Sequence, residues 1–218
     1  MYFKNTPIKL VDSRRHGAGT ELFIVEGDSA ASTVAALRDG QFQAVLPMQG
    51  KPLNALKATP QKVASYPLFK AVNESLGVQT THTADLFAWE SLRFERIVLL
   101  FDPDADGIHS GALMLMFVYQ YLRPLLDQGR VLMIHAPWVQ ISLKDEPAIY
   151  AYSEAQALAL TEQLRAQGKT PQVVRYRGLS GIDRAILMQT CIDPATRNAR
   201  VMTEQDALAA IEIFGTNI

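Results

Sequence analysis

The sequence is poor in several features. One cysteine, Cys191, occurs among 218 residues, which excludes a disulfide framework and a thiolate zinc site within one chain. A reducing cytosol is the natural compartment for such usage. Net charge is almost absent, since 21 basic and 22 acidic side chains leave −1. No global basic field exists, so a polyanionic partner would have to be met by a local patch or by another subunit. Met1–Leu10 has no apolar core of the kind a secretory signal needs. The most apolar stretch, Gly111–Leu122, is interrupted by Gln120 and is too short to span a bilayer. The chain is therefore expected to be cytoplasmic. It has no internal repeat and no low-complexity tract. What it does have is 48% apolar and 20% charged residues, an ordinary globular composition able to bury a core. The length suits one sizeable α/β domain or one domain with an appendage.

Residues 1–20 are polar and read as a loosely ordered lead-in. Glu21–Val25 is a short apolar run, a buried strand, which stops at Glu26-Gly27-Asp28-Ser29. Asp28 or Ser29 can cap a helix over Ala30–Arg38. Gln43–Leu46 is a second strand, closed by Pro47, and a loop with Gly50, Lys51 and Pro52 follows. The spacing predicts one helix over Gln61–Leu76 despite Pro67, then irregular chain over 77–93. Arg96–Phe101 is the clearest buried strand, running straight into Asp102-Pro103-Asp104-Ala105-Asp106-Gly107. One long apolar helix is expected from about Ile108 to Asp127, and a strand over Arg130–His135. Alternation of strand and helix over 21–135 argues for an α/β fold with a mostly parallel sheet flanked by helices. In such sheets functional groups gather at the carboxyl ends of strands. Both acidic motifs directly follow strands. Beyond, Pro137–Ser153 reads as strands, Glu154–Gln167 as a helix and Pro171–Arg177 as a strand. Short helices over Gly181–Thr190 and Thr203–Phe214 complete a smaller α+β extension. The expected divisions are a lead-in (1–20), a core (21–136) and the extension (137–218).

Asp102, Asp104 and Asp106 are spaced by two, and in an extended segment such residues share one face. Three carboxylates on one face repel unless a cation neutralises them. A hard divalent ion such as Mg²⁺ is the natural partner, and Gly107 would let the chain turn into the helix. This pattern alone is not specific. An EF-hand would want Glu where Leu113 stands and a helix before the loop. An aspartyl phosphatase would want Thr or Val at Asp106, and an acidic turn that merely caps a helix is the plain reading. Glu26 narrows the choice. It ends another strand, and if the two strands are neighbours it projects beside the aspartates, giving a carboxylate set suited to two-metal phosphoryl chemistry.

Several separated motifs then resemble the TOPRIM portion of the B subunit of bacterial type IIA topoisomerases, DNA gyrase and topoisomerase IV. Glu26-Gly27-Asp28-Ser29-Ala30 matches the family's E-G-D-S-A. Asp102 through His109 matches D-x-D-x-D-G-x-H. Pro47 through Ala58 is similar to P-L-x-G-K-x-L-N-x-x-K-A. Leu92-Arg93-Phe94 resembles L-R-Y, and Gln128-Gly129-Arg130-Val131 resembles the family's helix-to-strand turn. Tyr176-Arg177-Gly178-Leu179 resembles Y-K-G-L-G-E-M, and Asp193-Pro194 with Arg197 resembles M-D-P-x-x-R. Order and spacing agree over roughly residues 7–214.

The resemblance implies a TOPRIM, Rossmann-like fold and a Mg²⁺-dependent role, with Mn²⁺ able to substitute, in double-strand cleavage and religation of DNA. Glu26 would be a metal ligand and a general acid or base. Asp102 and Asp104 would bind Mg²⁺ with Asp106 in support. Lys51 would act at the catalytic centre, and Lys51, Lys57, His109 and Arg177 would lie near double-stranded DNA. The tyrosine nucleophile belongs to the family's A subunit, so an A subunit is the implied partner. Tyr176 aligns with the Y of Y-K-G-L-G and not with that nucleophile. ATP is not expected to bind this chain, because no ATPase domain or transducer fits before Glu21. A nucleoid-associated, cytoplasmic location follows from the same kinship. The chain departs from the family in losing basic residues. Thr33–Leu37 follow the E-G-D-S-A run with only Arg38 left, Gln49 stands at a position often basic, and Ser180-Gly181-Ile182 replaces G-E-M. Each lost phosphate contact weakens binding and its salt dependence. Two further readings therefore stand beside the first: a non-catalytic homologue that binds the A subunit or DNA as a regulator, and a stand-alone TOPRIM nuclease.

Overall fold

In the computed structural model, residues 9–78 and 89–215 are described. The lead-in expected over 1–20 and the irregular stretch expected over 77–93 lie partly outside them. Eight strands and eight α-helices are found among the described residues. Strand β1 (Gly17–Glu26), β2 (Gln43–Met48), β3 (Phe94–Leu100), β4 (Val131–Ile134) and β8 (Ala199–Val201) form one sheet in the order β2-β1-β3-β4-β8. The first four are mutually parallel and β8 is antiparallel to β4. This is the expected α/β architecture. Strands β5 (Val139–Ser142), β6 (Ile149–Ala151) and β7 (Gln172–Arg175) form a second, antiparallel sheet in the order β6-β5-β7.

The near-continuous apolar runs have a simple cause. A parallel strand covered on both faces buries every residue, and alternate side chains enter opposite cores. Leu22, Ile24, Ile97 and Leu99 face one cluster with Phe69, Met114 and Phe117. Phe23, Val25, Val98 and Leu100 face the other with Val34, Leu187 and Ile192. Helix α1 (Gly27–Leu37) lies against the second face, and α3 (Pro67–Leu76), α4 (Ala105–Tyr121) and α8 (Glu204–Ala210) against the first. Helix α6 (Glu154–Ala166) covers the small sheet through Ala157 and Leu164.

Several expectations need correction. Strand β2 is not closed by Pro47 but runs through it to Met48. A proline removes one ladder donor, which an edge strand tolerates. The helix expected over Gln61–Leu76 is two helices, α2 (Pro60–Ser65) and α3, broken at Tyr66 because the residue before Pro67 is pushed out of the helical region. The long helix to Asp127 is likewise split at Leu122, with α5 (Arg123–Asp127) starting afresh around Pro124. Neither Asp28 nor Ser29 caps α1. The cap position is Glu26, without a side-chain cap bond. Strand β8 lies outside the elements expected from the sequence, and the helix expected over Gly181–Thr190 is α7 (Arg184–Leu187) continued by a π-helical turn at Met188–Ile192.

One buried ion pair ties the extension to the main sheet. Arg197 Nη1 and Nη2 donate to Glu21 at 2.7 and 2.5 Å. Gln43 Nε2 donates to Glu21 at 3.0 Å and to the Ile192 carbonyl at 3.1 Å. Both charged side chains are nearly inaccessible, at 3% and 4%, so each depends on the other for its solvation. No helix among the described residues is long and apolar enough to cross a membrane.

Candidate metal and nucleic-acid site

Strands β1 and β3 are hydrogen-bonded neighbours, with Val25 opposite Leu100. Glu26 and the Asp102 segment therefore leave the same edge of the sheet side by side, as the sequence required if they were to meet. Glu26 Oε2 is buried and has no hydrogen-bond partner. Its carboxyl is pushed above the usual range first by burial and then by the charges of Asp102, Asp104 and Asp106, against the pull of Lys51. The four acids thus feel one another across positions far apart in the chain.

The three aspartates do not lie along one extended face, which corrects the spacing argument. Helix α4 starts at Ala105, so Asp104 is its N-cap and Asp106 belongs to its first turn. Asp104 Oδ1 accepts from the Gly107 N–H at 2.9 Å, a cap bond worth about 1 kcal/mol. An acid in the first helical turn is further favoured by the aligned peptide dipoles. Each aspartate then has its own partner. Asp102 Oδ1 accepts from the Leu179 N–H at 2.9 Å. Burial raises its carboxyl, aided by Asp104, while the Leu179 bond opposes the rise. Asp106 is exposed and accepts from Lys51 Nζ at 2.8 Å, a bond that lowers its carboxyl.

Two glycines make room for Asp102. A Cβ on Gly107 would lie 2.0 Å from the Asp102 carbonyl oxygen, and one on Gly178 would lie 3.0 Å from Asp102 Oδ2. Gly107 has no positive φ, so close approach explains it and the sharp turn expected from the sequence does not. Gly178 and the Leu179 N–H are site groups that sequence reasoning misses. The only signal for them is that they fall in the Tyr176–Leu179 motif.

The other sequence-chosen residues divide. Lys51 Nζ also stands 3.4 Å from His109 Nδ1, and the His109 ring stacks on Phe214 at 5.0 Å, so both join the acidic group. Arg177 lines a cleft together with Asp102, Pro103 and Asp104. Lys57 is exposed on the turn whose amides bond Asn54 Oδ1, and no contact among the described residues joins its side chain to the acids. Gln49, where a base was expected, donates to Asp28 at 3.1 Å, beside the Lys9–Asp28 pair. The Tyr176 hydroxyl donates to Gln140 and its ring is buried, a structural placement.

As the side chains stand, no three His, Cys, Asp or Glu among the described residues are gathered so as to hold a metal ion. The donor chemistry nonetheless fits a hard cation. Glu26 keeps an orphaned buried oxygen, and Asp102, Asp104 and Asp106 each commit one carboxylate oxygen, Oδ1, to the bonds described. Four carboxylates faced by a single ammonium favour a divalent ion with oxygen ligands.

The Toprim domain family matches residues 21–135. The chain is 37% identical over 209 residues to the DNA gyrase B subunit of Halalkalibacterium halodurans, covering 95% of this chain and 32% of that protein. It is 38% identical over 209 residues to the DNA gyrase B subunit of Thermotoga maritima, with the same coverage. For the Mycobacterium tuberculosis protein of the same name the identity is 35% over 213 residues, covering 95% and 31%. The chain spans about a third of the length of these curated relatives.

Proposed function

This chain belongs to the Toprim domain family, and from that we propose that it is the Mg²⁺-dependent part of a protein resembling the B subunit of type IIA topoisomerases. It supports cleavage and religation of duplex DNA by a tyrosine-bearing A subunit. The observation that carries this reading is the unpartnered Oε2 of Glu26 at a strand end shared with Asp102 and its neighbours. Glu26, Asp102 and Asp104 would hold the ion, with Asp106 in support, and Mn²⁺ would serve in its place. The bound ion supplies charge stabilisation at the leaving 3′ oxygen. Glu26 ends β1 beside Asp102, where its carboxyl would serve as an ion ligand and as a general acid or base toward that oxygen. Lys51 brings positive charge to a phosphate at the same edge, and His109 and Arg177 flank it. Lys57 meets the duplex at a distance from the acids. ATP is bound elsewhere than on this chain, and the natural setting is the cytoplasmic nucleoid.

The test mixes the chain with a gyrase A subunit, Mg²⁺ and supercoiled plasmid. Covalent cleavage complexes are expected. Their absence, when the protein is folded and still binds the A subunit, would reject the catalytic version.

One observation favours a second reading. Asp106 is engaged by Lys51, and Asp28 is occupied by Lys9 and Gln49, so charges that could meet phosphate are spent within the chain. On this reading the protein binds the A subunit or DNA as a regulator without cleaving. Tight association with the A subunit and no Mg²⁺ uptake selects it. Metal-dependent nicking without any partner would instead select a stand-alone nuclease.

A further inference from the structure

A cleft of about 400 Å³ opens beside the acidic residues. Asp102, Pro103 and Asp104 form one wall, and Trp138, Arg175, Tyr176 and Arg177 form the other. The second wall is built by backbone pairing. The Tyr176 N–H donates to the Trp138 carbonyl at 3.0 Å and the Trp138 N–H to the Ala151 carbonyl at 2.8 Å. Tyr176 turns inward, so Arg175 and Arg177, two positions apart, are both exposed. The Arg175 guanidinium lies over the Trp138 indole, 4.5 Å from the ring centroid. Neither Arg175 nor Arg177 has a carboxylate partner among the described residues, whereas Arg93, Arg96, Arg123, Arg197 and Arg200 each have one.

We propose that Trp138, Arg175 and Arg177 form a stacking clamp for an unpaired nucleotide of a DNA strand, on the wall of the cleft that faces Asp102 and Asp104. The proposal deepens the DNA-directed reading given above and rests on it. A planar guanidinium already seated on an indole offers its outer face to a base, and little further ordering is needed on binding. Base stacking on aromatic and guanidinium planes is the usual way single strands are held without sequence preference. Arg177, without an acidic partner and two residues beyond the end of β7, is placed to hold the phosphate of that nucleotide as a bidentate donor. The volume is within the range of roughly 300–1,000 Å³ typical of small-ligand sites, enough for one nucleotide. The acidic wall repels a second phosphate, which limits the clamp to one base and its own phosphate while the acids remain without a cation. An unpaired base fits this geometry and a stacked duplex does not, because duplex bases present no free face.

The test uses the full chain carrying Trp89→Phe, which leaves Trp138 as the only tryptophan of the two in the sequence. It is titrated in EDTA with a short oligothymidylate while indole fluorescence is followed. Saturable quenching is expected. Arg175→Ala and Arg177→Ala should each weaken binding roughly tenfold. Arg175→Lys should weaken it nearly as much as Arg175→Ala while leaving the salt dependence unchanged, because it keeps charge and loses the plane. Wild-type affinity in Arg175→Lys, or equal binding of a blunt duplex, would overturn the clamp. Free thymidine monophosphate should compete, since one base with its own phosphate satisfies the clamp, and a lack of competition would overturn it. Working without metal keeps the outcome apart from that of the acidic site. Lost cleavage with intact quenching would sink only the cleavage reading, and lost quenching with intact cleavage only the clamp.

Discussion

The main-chain N–H of Leu179 donates to Asp102 Oδ1 at 2.9 Å across 77 positions of sequence. Leu179 belongs to the extension and Asp102 to the edge of the main sheet, so the extension helps to shape the acidic site. Gly178 permits this contact, since any Cβ there would press on the same carboxylate.

Gly107 should be the least replaceable glycine. In Gly107→Ala the new methyl would meet the Asp102 carbonyl at 2.0 Å, and neither backbone segment can yield without moving α4 or β3. A loss of about 1–3 kcal/mol or more is expected, read by urea unfolding. Stability equal to wild type would mean that α4 starts differently.

The buried pair of Glu21 and Arg197 should behave asymmetrically. Arg197→Met alone leaves a carboxylate buried and should cost about 3–5 kcal/mol. Glu21→Leu combined with Arg197→Met should recover much of that loss. A double-mutant cycle by chemical unfolding checks it, and equal losses in single and double variants would contradict the pairing.

Acid should loosen the start of β1 through Asp12. Burial pulls its carboxyl upward, but the hydrogen bond from His16 and the Arg93 guanidinium outweigh this and hold it below the ordinary value. A group lowered on folding contributes stability above its unfolded pKa, about 3.9, and loses it as pH falls through the folded value. Asp12→Asn should therefore be less stable than wild type at neutral pH, and the difference should shrink below about pH 4. Parallel curves down to the lowest pH reached would contradict this.

Much of the site was legible because its signals are local. Apolar runs that end in Glu26 and Asp102 mark strand ends, and alternation of strands and helices is the pattern of the parallel sheet in which β1 and β3 are neighbours. The i, i+2, i+4 reading of the aspartates failed because capping by Asp104 begins a helix one residue later, and a periodicity rule cannot see where extended chain stops. Pro67 and Pro124 end helices that apolar spacing would carry on. Glu21–Arg197, Trp138–Arg175 and Leu179–Asp102 join residues 176, 37 and 77 positions apart. No local pattern encodes which of them meet.

Glu26→Gln should raise the melting temperature of the protein in EDTA, because it removes one of four mutually repelling acids. The same change should abolish the stabilisation that Mg²⁺ gives to wild type, which follows from mass action on the folded state. Asp102→Asn with Asp104→Asn should lose the Mg²⁺ effect as well. Thermal unfolding with and without the ion checks both, and undiminished Mg²⁺ stabilisation in either variant would remove those carboxylates from the site.

The most direct measurement is an anomalous-scattering map from crystals soaked in Mn²⁺. A peak bridged by the carboxylates of Glu26 and Asp102, with the Lys51 amine close by, is the expected result. A well-ordered edge of the sheet with no peak, or with Glu26 turned away from Asp102, would contradict a shared divalent ion there.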